Sequence, residues 1–281
     1  MHRKKKFPRT WYVHCLFVAI FLCPQLVFSQ ATTPAASAQD QKPPVPAPAA
    51  QQLTPYQIAM IDRGLSDWPF LAKYRDADRQ LAPPAPGEAR VVFMGDSITE
   101  AWGQQESATT PGRVEFFPGK PYINRGISGQ TTPQMLVRFR QDVIDLQPKV
   151  VLLLAGTNDI AENTGKTTPR DIENNIASMS DLARANRIRL VLCSVLPASD
   201  FPWHSGLDPA PKIRALNAWI KGYAAENSLV YVDYYSSMAT GEGALKPELT
   251  VDGVHPNKAG YEIMAPLAEA GIAEALKKPL P

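Results

Sequence analysis

The sequence is poor in cysteine and histidine, which excludes several kinds of site. It has three cysteines and four histidines among 281 residues, and only Cys193, His204 and His255 lie beyond residue 29. A lone cysteine forms no internal disulfide, and these three scattered residues do not supply the spaced ligands of a zinc site. We therefore expect no disulfide bond and no bound metal. Cys193 ends an apolar run typical of a buried strand, so we expect it to be an unreactive core residue.

Glycine-based motifs for nucleotides are also missing. The chain contains neither G-x-x-x-x-G-K-[ST] nor G-x-G-x-x-G, so it lacks the glycines that let a loop approach phosphates closely. We expect no organic cofactor. The G-x-S-x-G turn that carries the nucleophile in α/β-hydrolases is absent as well. No internal repeat is present.

The chain has no strong excess of either charge, with a formal net charge of +2. Five basic residues and no acidic residue lie in residues 1–29, so the remainder carries 24 basic and 27 acidic residues. The weak basicity thus belongs to the N-terminus. Nothing in this balance indicates a nucleic-acid partner.

The N-terminus has the pattern of an export signal. A basic segment over residues 3–9 precedes an apolar segment over residues 16–28, and the small residue Ser29 follows. This pattern predicts a signal peptide over residues 1–29 and a secreted or periplasmic protein. An uncleaved anchor is the alternative, but the apolar segment is shorter than the roughly 20 residues of a membrane span. A lipoprotein signal is disfavoured, because neither Cys15 nor Cys23 follows a small residue.

Composition divides the rest of the chain into three parts. Residues 30–50 are mostly alanine and proline, which predicts a flexible linker. Residues 51–88 contain two helix-start patterns, Thr54-Pro55 and Asp67 before Trp68-Pro69, and are predicted to form a helical extension. Residues 89–281 are predicted to form the main domain.

The main domain alternates apolar strands with amphipathic helices, a pattern typical of a parallel sheet. We predict a flavodoxin-like, doubly wound α/β fold of about five parallel strands with helices on both faces. The strand candidates are residues 91–94, 122–124, 150–154, 189–194 and 229–232.

Polar motifs follow the predicted strands, where such folds bind ligands. Gly95-Asp96-Ser97 follows the first strand, Gly129 lies shortly after the second, and Gly156-Thr157-Asn158-Asp159 follows the third. Asp252-Gly253-Val254-His255 precedes the last helix. Taken singly, each motif has an ordinary structural explanation, such as a helix cap, a turn glycine or a surface ion pair. Their shared position at one edge of the sheet favours a catalytic site.

Acyl transfer needs an attacking hydroxyl, a base and a group that orients the base. Ser97 supplies the hydroxyl and His255 is the candidate base. Asp252 lies three residues before His255, within reach of its Nδ1 atom. Candidate donors to the oxyanion are the backbone N–H groups of Ser97 and Gly129 and the side-chain amide of Asn158.

These motifs together resemble the four sequence blocks of the SGNH (GDSL-type) hydrolases, in order and at typical spacing over residues 90–275. The resemblance implies Ser97 as nucleophile, His255 as base and Asp252 as its partner. It also implies an oxyanion hole of Ser97, Gly129 and Asn158. One departure is Ile98, where the family's nickname has leucine. The similarity is strongest to platelet-activating-factor-acetylhydrolase-like and carbohydrate acetylesterase branches.

The expected activity is therefore hydrolysis of carboxylic esters through an acyl-enzyme. We expect short acyl groups, especially acetyl groups on carbohydrates. Lysophospholipase or thioesterase activity on longer chains is one alternative, and a non-catalytic binding module on the same fold is another. Trp102 and Trp203 are candidates for substrate binding, although core packing is an equally good explanation of Trp102. The loop over residues 200–210 is rich in proline and polar residues, so we expect it to be exposed. The sequence does not indicate an oligomeric state.

Overall fold

The computed structural model describes residues 55–103 and 115–281 of the chain. The predicted signal peptide and linker, over residues 1–29 and 30–50, lie outside these described residues. Helix α1 (Pro55–Ser66) begins at the predicted proline.

The predicted doubly wound sheet is confirmed. Five strands, all parallel, form one sheet in the order β2-β1-β3-β4-β5. Their bounds are β1 (Val91–Gly95), β2 (Tyr122–Gly126), β3 (Val150–Leu154), β4 (Arg189–Cys193) and β5 (Val230–Val232). The order of strands reverses between β1 and β3, and ligands bind beyond the carboxyl ends of the strands at such a point.

Both faces of the central strands are buried, which explains their continuous apolar sequences. In β1, Val92 and Met94 face one apolar core, whereas Val91 and Phe93 face the other. The same alternation continues in β3 and β4. Burial of the Cys193 side chain in the second core raises the pKa of its thiol well above the ordinary value, in keeping with an unreactive residue.

Helices cover both faces of the sheet. The five longer or core-lining helices are α4 (Thr132–Asp142), α6 (Pro169–Ala185), α7 (Pro209–Glu226), α8 (Tyr234–Met238) and α9 (Lys258–Lys277). The first core contains side chains from α4, α6 and α7, and the second contains side chains from α8 and α9. Short helices α3 (Ser97–Glu100) and α5 (Thr157–Ile160) follow β1 and β3. Within the described ranges, no helix meets the length and apolarity of a membrane span.

The predicted helix start at Asp67 is wrong. Asp67 accepts hydrogen bonds from the backbone N–H groups of Leu71 and Ala72, both at 2.8 Å, but the segment it closes is a series of turns. Pro69 disfavours a helical conformation in the residue before it, and Phe70 has a left-handed φ of 60°. The next helix, α2 (Arg75–Gln80), therefore begins eight residues after Asp67.

A buried arginine connects the carboxyl ends of β1 and β2. The guanidinium of Arg138 is fully buried and donates to the carbonyl oxygens of Gly95 at 3.0 Å and Arg125 at 2.8 Å. It also pairs with Asp142 at 2.9 Å and donates to the side chain of Gln130. Because a buried charge is tolerated only when it is fully hydrogen-bonded, this network fixes the geometry of the strand ends.

A second buried charge, Asp159, holds the start of α4. Its carboxylate accepts hydrogen bonds from the backbone N–H of Thr132 at 3.0 Å and from the Thr132 hydroxyl at 2.6 Å. Burial raises the pKa of Asp159 to about 6, although the hydrogen bonds from Thr132 oppose this shift. In the native state the carboxyl therefore holds its proton at pH values where the unfolded chain has lost it.

We expect Asp159→Asn to reduce the pH dependence of stability. Between pH 4 and pH 6 the native state binds a proton that the unfolded state lacks, so the free energy of unfolding falls as the pH rises. The shift from 3.8 to about 6 corresponds to a loss of up to about 3 kcal/mol. Denaturant unfolding at pH 4 and pH 7 should show a smaller fall for Asp159→Asn than for the wild type.

Asp171 provides the control with opposite sign. This exposed residue accepts hydrogen bonds from Thr168 that lower the pKa of its carboxyl. Its contribution to the free energy of unfolding therefore grows as the pH rises. Asp171→Asn should therefore not reduce the fall in stability between pH 4 and pH 7. An unchanged pH dependence in Asp159→Asn would contradict the raised pKa of Asp159.

Candidate active site

The candidate nucleophile lies at the junction of a strand and a helix. β1 ends at Gly95, Asp96 caps α3, and Ser97 is the first residue of that helix. The Asp96 carboxylate accepts a hydrogen bond from the Ile98 N–H at 3.0 Å. α3 lies directly against the end of β2, because a Cβ atom at Gly126 would come within 2.1 Å of the Glu100 backbone nitrogen. Glycine at this position thus allows the helix to approach the second strand.

The candidate base and its partner lie on a short loop before α9. Thr250 and Pro256 form an antiparallel bridge that closes this loop. The Thr250 hydroxyl donates to the His255 carbonyl oxygen at 2.8 Å and accepts from the Gly253 N–H at 2.9 Å. Asp252 Oδ1 accepts from the His255 backbone N–H at 2.8 Å. The backbone therefore places Asp252 and His255 side by side.

The structure brings Ser97, His255 and Asp252 together in one hydrogen-bonded row. Ser97 Oγ lies 2.9 Å from His255 Nε2, and His255 Nδ1 lies 2.7 Å from Asp252 Oδ2. A carboxylate accepts hydrogen bonds, so Asp252 favours the tautomer with hydrogen on Nδ1. Nε2 is then free to accept the proton of the serine hydroxyl. The His255 side chain is 26% exposed, which leaves the row open to solvent.

The two aspartates of the site have different electrostatic surroundings. Burial raises the pKa of Asp252, but hydrogen bonds from the His255 backbone and ring together lower it by more, so the net pKa lies below the ordinary value. Asp252 is therefore ionised at neutral pH. Asp96 is fully buried, and this burial raises its pKa to about 6 despite the hydrogen bond from Ile98.

The predicted oxyanion donors are two backbone N–H groups and one side-chain amide. Within the described chain, the backbone N–H groups of Ser97 and Gly129 donate no hydrogen bond. Gly129 has a φ of +77°, a backbone conformation that other residues rarely adopt. The Asn158 side chain is buried, and its Nδ2 atom lies 3.3 Å from Asp96 Oδ2 and 3.1 Å from the Gln130 carbonyl oxygen.

The turn that contains Gly129 is hydrogen-bonded to Glu100, which forms a salt bridge with the N-terminal extension. Glu100 accepts a hydrogen bond from the Ser128 backbone N–H at 2.7 Å and another from the Ser128 hydroxyl. The same carboxylate pairs with Lys73 at 2.7 Å. Sequence reasoning missed Glu100, because nothing in its spacing from Ser97 indicates contact with a turn 28 residues later.

The two candidate tryptophans have different positions. Trp102 is 3% exposed and lies among the aromatic rings of Phe93, Phe117 and Tyr261. The structure therefore favours core packing over substrate binding for Trp102. Trp203 is 45% exposed, and its ring centroid lies 5.9 Å from that of His255.

The loop over residues 200–210 is exposed only in part, whereas the sequence predicted an exposed loop. Phe201 is fully buried, in contrast to the exposure predicted for this segment, and its ring packs against Trp203 at 5.3 Å. His204 is exposed, and its Nδ1 atom lies 2.8 Å from the Ala161 carbonyl oxygen, so it contributes to the structure of the loop. The described residues contain no cluster of three or more histidine, cysteine or acidic side chains that could hold a metal ion.

The sequence of the sheet and its motifs matches a known family. A model of the GDSL-like lipase/acylhydrolase family matches residues 93–263, which is more than half of the chain. The chain belongs to the GDSL-like lipase/acylhydrolase family. The resemblance to SGNH hydrolases is thus confirmed, and the chain is an ester hydrolase.

Two similar proteins match this chain over most of their own length. The crystal structure of a GDSL-like lipase from Bacteroides thetaiotaomicron VPI-5482 is 47% identical, with a TM-score of 0.69, and covers 74% of this chain and 100% of that one. The α2 subunit of platelet-activating factor acetylhydrolase IB from Rattus norvegicus is 26% identical over 184 residues, which are 65% of this chain and 76% of that protein.

Two further relatives match only part of their own length. An acetylxylan esterase of Xylanibacter ruminicola is 25% identical over 219 residues, which are 67% of this chain and 44% of that protein. An uncharacterized lipoprotein of Bacillus subtilis is 32% identical over 121 residues, which are 40% of this chain and 50% of that protein. The chain thus spans about half of the length of these two relatives.

Proposed function

We propose that this esterase works through a triad of Ser97, His255 and Asp252. The observation that carries the proposal is the row of two hydrogen bonds, of 2.9 Å from Ser97 Oγ to His255 Nε2 and of 2.7 Å from His255 Nδ1 to Asp252 Oδ2. A hydroxyl, a base and an orienting carboxylate in this order are what acyl transfer requires. The sharp turn from β1 into α3 exposes the serine at the edge of the sheet.

In the first half of the reaction, Ser97 Oγ attacks the ester carbonyl carbon while His255 Nε2 takes the hydroxyl proton. The carbonyl oxygen becomes an oxyanion, which accepts hydrogen bonds from the N–H groups of Ser97 and Gly129 and from the Asn158 amide. The bond between the carbonyl carbon and the alcohol oxygen then breaks, and His255 returns the proton to the leaving alcohol. In the second half, water attacks the acyl-enzyme with His255 again as base, which releases the acid and Ser97.

For the substrate, we propose acetyl esters of carbohydrates. Trp203 presents an exposed aromatic ring beside His255, and a flat ring with a polar N–H suits contact with the face of a sugar. The similarity to an acetylxylan esterase supports the same substrate class. The similarity to a platelet-activating factor acetylhydrolase supports a short acyl group equally well.

A panel of esters tests the substrate proposal. We expect the purified protein to release acetate from acetylated xylan, and to hydrolyse p-nitrophenyl acetate with at least about tenfold higher kcat/KM than p-nitrophenyl octanoate. Tenfold corresponds to about 1.4 kcal/mol of differential transition-state binding, a difference that a pocket of limited size produces. Ser178→Ala, a change of a half-buried serine on α6, is the control and should show the same ester preference as the wild type.

A preference for long acyl chains would contradict the acetylesterase proposal. Faster hydrolysis of octanoyl or longer esters would replace the acetylesterase proposal with lysophospholipase or thioesterase activity. Absence of hydrolysis of every ester would favour a binding module on the same fold and would contradict the triad proposal.

We also propose that the protein is exported. The basic and apolar segments of the leader support this location, as does the similarity to a bacterial lipoprotein. Sequencing of the N-terminus of the protein from its native cell envelope or medium should begin at Gln30. Recovery of the intact leader would instead support an anchor.

A further inference from the structure

Asn163 lies next to the proposed oxyanion hole, in the turn that follows α5. Its backbone N–H donates to the Asn158 carbonyl oxygen at 3.0 Å. Its side-chain Nδ2 donates to Asn158 Oδ1 at 2.8 Å and to the Gly129 carbonyl oxygen at 3.3 Å. One amide group thus contacts both residues that supply oxyanion donors in addition to Ser97. The residue was not a candidate in the sequence, because only the fold brings it to Gly129.

The orientation of the Asn163 side chain is set by Trp203. The indole Nε1 of Trp203 lies 2.9 Å from Asn163 Oδ1, and an indole N–H is a donor that never accepts. Asn163 must therefore turn its oxygen to Trp203. Its Nδ2 group then points in the other direction, toward Asn158.

The same reasoning sets the orientation of Asn158. Because Asn163 Nδ2 is a donor, Asn158 turns its Oδ1 atom to it and directs its own Nδ2 group to the side of Asp96 and Gln130. That side contains Asp96, the chain neighbour of Ser97, and it is where we place the oxyanion of the Ser97 adduct. A reversed Asn158 would present an oxygen to the negative charge. The contacts of Asn158 Nδ2 with Asp96, at 3.3 Å, and with the Gln130 carbonyl oxygen, at 3.1 Å, favour the same orientation, but both are longer than the 2.8 Å contact with Asn163.

We propose that Asn163 is a positioning residue for ester hydrolysis: oriented by the Trp203 indole N–H, it keeps the Asn158 amide in the geometry that binds the oxyanion. This role rests on the proposed triad mechanism. It also links the exposed ring of Trp203, where we place the sugar, to the groups that stabilise the transition state.

The first test changes the polarity of Asn163 with little change in shape. Asn163→Asp still accepts from Trp203 but presents an oxygen to Asn158 Oδ1, and Asn163→Ala removes both contacts. With p-nitrophenyl acetate we expect kcat to fall by about tenfold in both variants, with KM changed by less than about twofold, because the lost geometry matters only in the transition state. The loss should stay below the factor of about 10²–10³ for removal of an oxyanion donor.

Asn174→Asp is the matched control. It makes the same chemical change at an exposed position of α6, where the side chain makes no hydrogen bond to any described residue, and it should keep the wild-type kcat. Trp203→Phe keeps an aromatic ring but removes the N–H group, and we expect a fall in kcat of about threefold. Equal thermal midpoints of the variants would exclude a general loss of structure.

A double-mutant cycle shows whether Asn163 acts through Asn158. In an Asn158→Ala background, the further change Asn163→Ala should lower kcat by less than about threefold, because the amide that it orients is gone. A full tenfold loss in that background would overturn the proposal, and so would wild-type kcat in Asn163→Asp. If the wild type hydrolyses esters and Ser97→Ala does not, such results overturn the role of Asn163 alone; an inactive wild type overturns the proposed function and this role together.

Discussion

Ser97→Ala is expected to lower kcat for p-nitrophenyl acetate by at least about 10⁴-fold. Loss of the nucleophile in a serine hydrolase removes the covalent step, and catalysis that remains comes from the oxyanion donors and substrate binding. Those donors, the N–H of residue 97 and the groups of Gly129 and Asn158, do not depend on the serine hydroxyl. KM should therefore change by only a few fold. Steady-state kinetics with p-nitrophenol release measures both quantities.

A matched control keeps this result interpretable. Ser178→Ala removes a hydroxyl that bonds only the Asn174 carbonyl oxygen on α6, and it should retain wild-type activity. If Ser97→Ala kept more than about one hundredth of the wild-type kcat, a different group would have to carry out the attack, since loss of a nucleophile costs far more than that.

Asp252→Asn is expected to lower kcat by about 10³–10⁴-fold at neutral pH. The two oxygens of Asp252 have separate tasks: Oδ1 accepts from the backbone N–H groups of Val254 and His255, and Oδ2 faces His255 Nδ1. An asparagine whose oxygen takes the Oδ1 position preserves the loop. Its amide N–H₂ then faces Nδ1 and forces the other tautomer, in which Nε2 carries hydrogen and no longer accepts the Ser97 proton.

Asp252→Asn should fold as the wild type does. Thermal unfolding then separates a change of the His255 tautomer from a loss of the loop structure. Asp200→Asn, at an exposed position where the carboxylate accepts a hydrogen bond from the Gly206 N–H, is the control. A loss of kcat below about tenfold in Asp252→Asn would contradict the orienting role of the carboxylate. A large loss accompanied by a large fall in the unfolding temperature would indicate that Oδ1 and the loop matter more than the tautomer.

The sheet could be predicted because its strands are buried on both sides. Such strands show continuous apolar runs, as in Val150–Leu154, whose bounds agree with the prediction. Parallel strands also share one functional edge, so the order of strands and motifs along the chain assigns the motifs after β1 and β3 to the same region. His255 precedes the last helix and follows no strand directly, so its predicted approach to Ser97, 158 positions earlier, depended also on the resemblance to SGNH hydrolases.

Other features depend on contacts that leave no local pattern. Arg138 and Asp142 lie four residues apart on the apolar face of α4, which was a detectable sign of a buried ion pair, but the carbonyl groups that the guanidinium binds could not be inferred. Asn163 is an ordinary turn residue in the sequence. Trp102 was ambiguous because an aromatic residue near a nucleophile suits a pocket and a core equally well, and only the positions of neighbouring rings favour the core.

The salt bridge between Lys73 and Glu100 limits how far the N-terminus of the enzyme can be shortened. The family match starts at Phe93, yet Tyr74 donates its hydroxyl hydrogen to the Gly126 carbonyl oxygen and Pro69 accepts from the side chain of Gln130. These hydrogen bonds hold the two ends of the turn that contains Gly129, at Gly126 and Gln130. A version trimmed to start at residue 89 would keep Ser97, Asp252 and His255 but would lose these contacts with the turn that contains the proposed oxyanion donor Gly129, so trimming should stop ahead of residue 67.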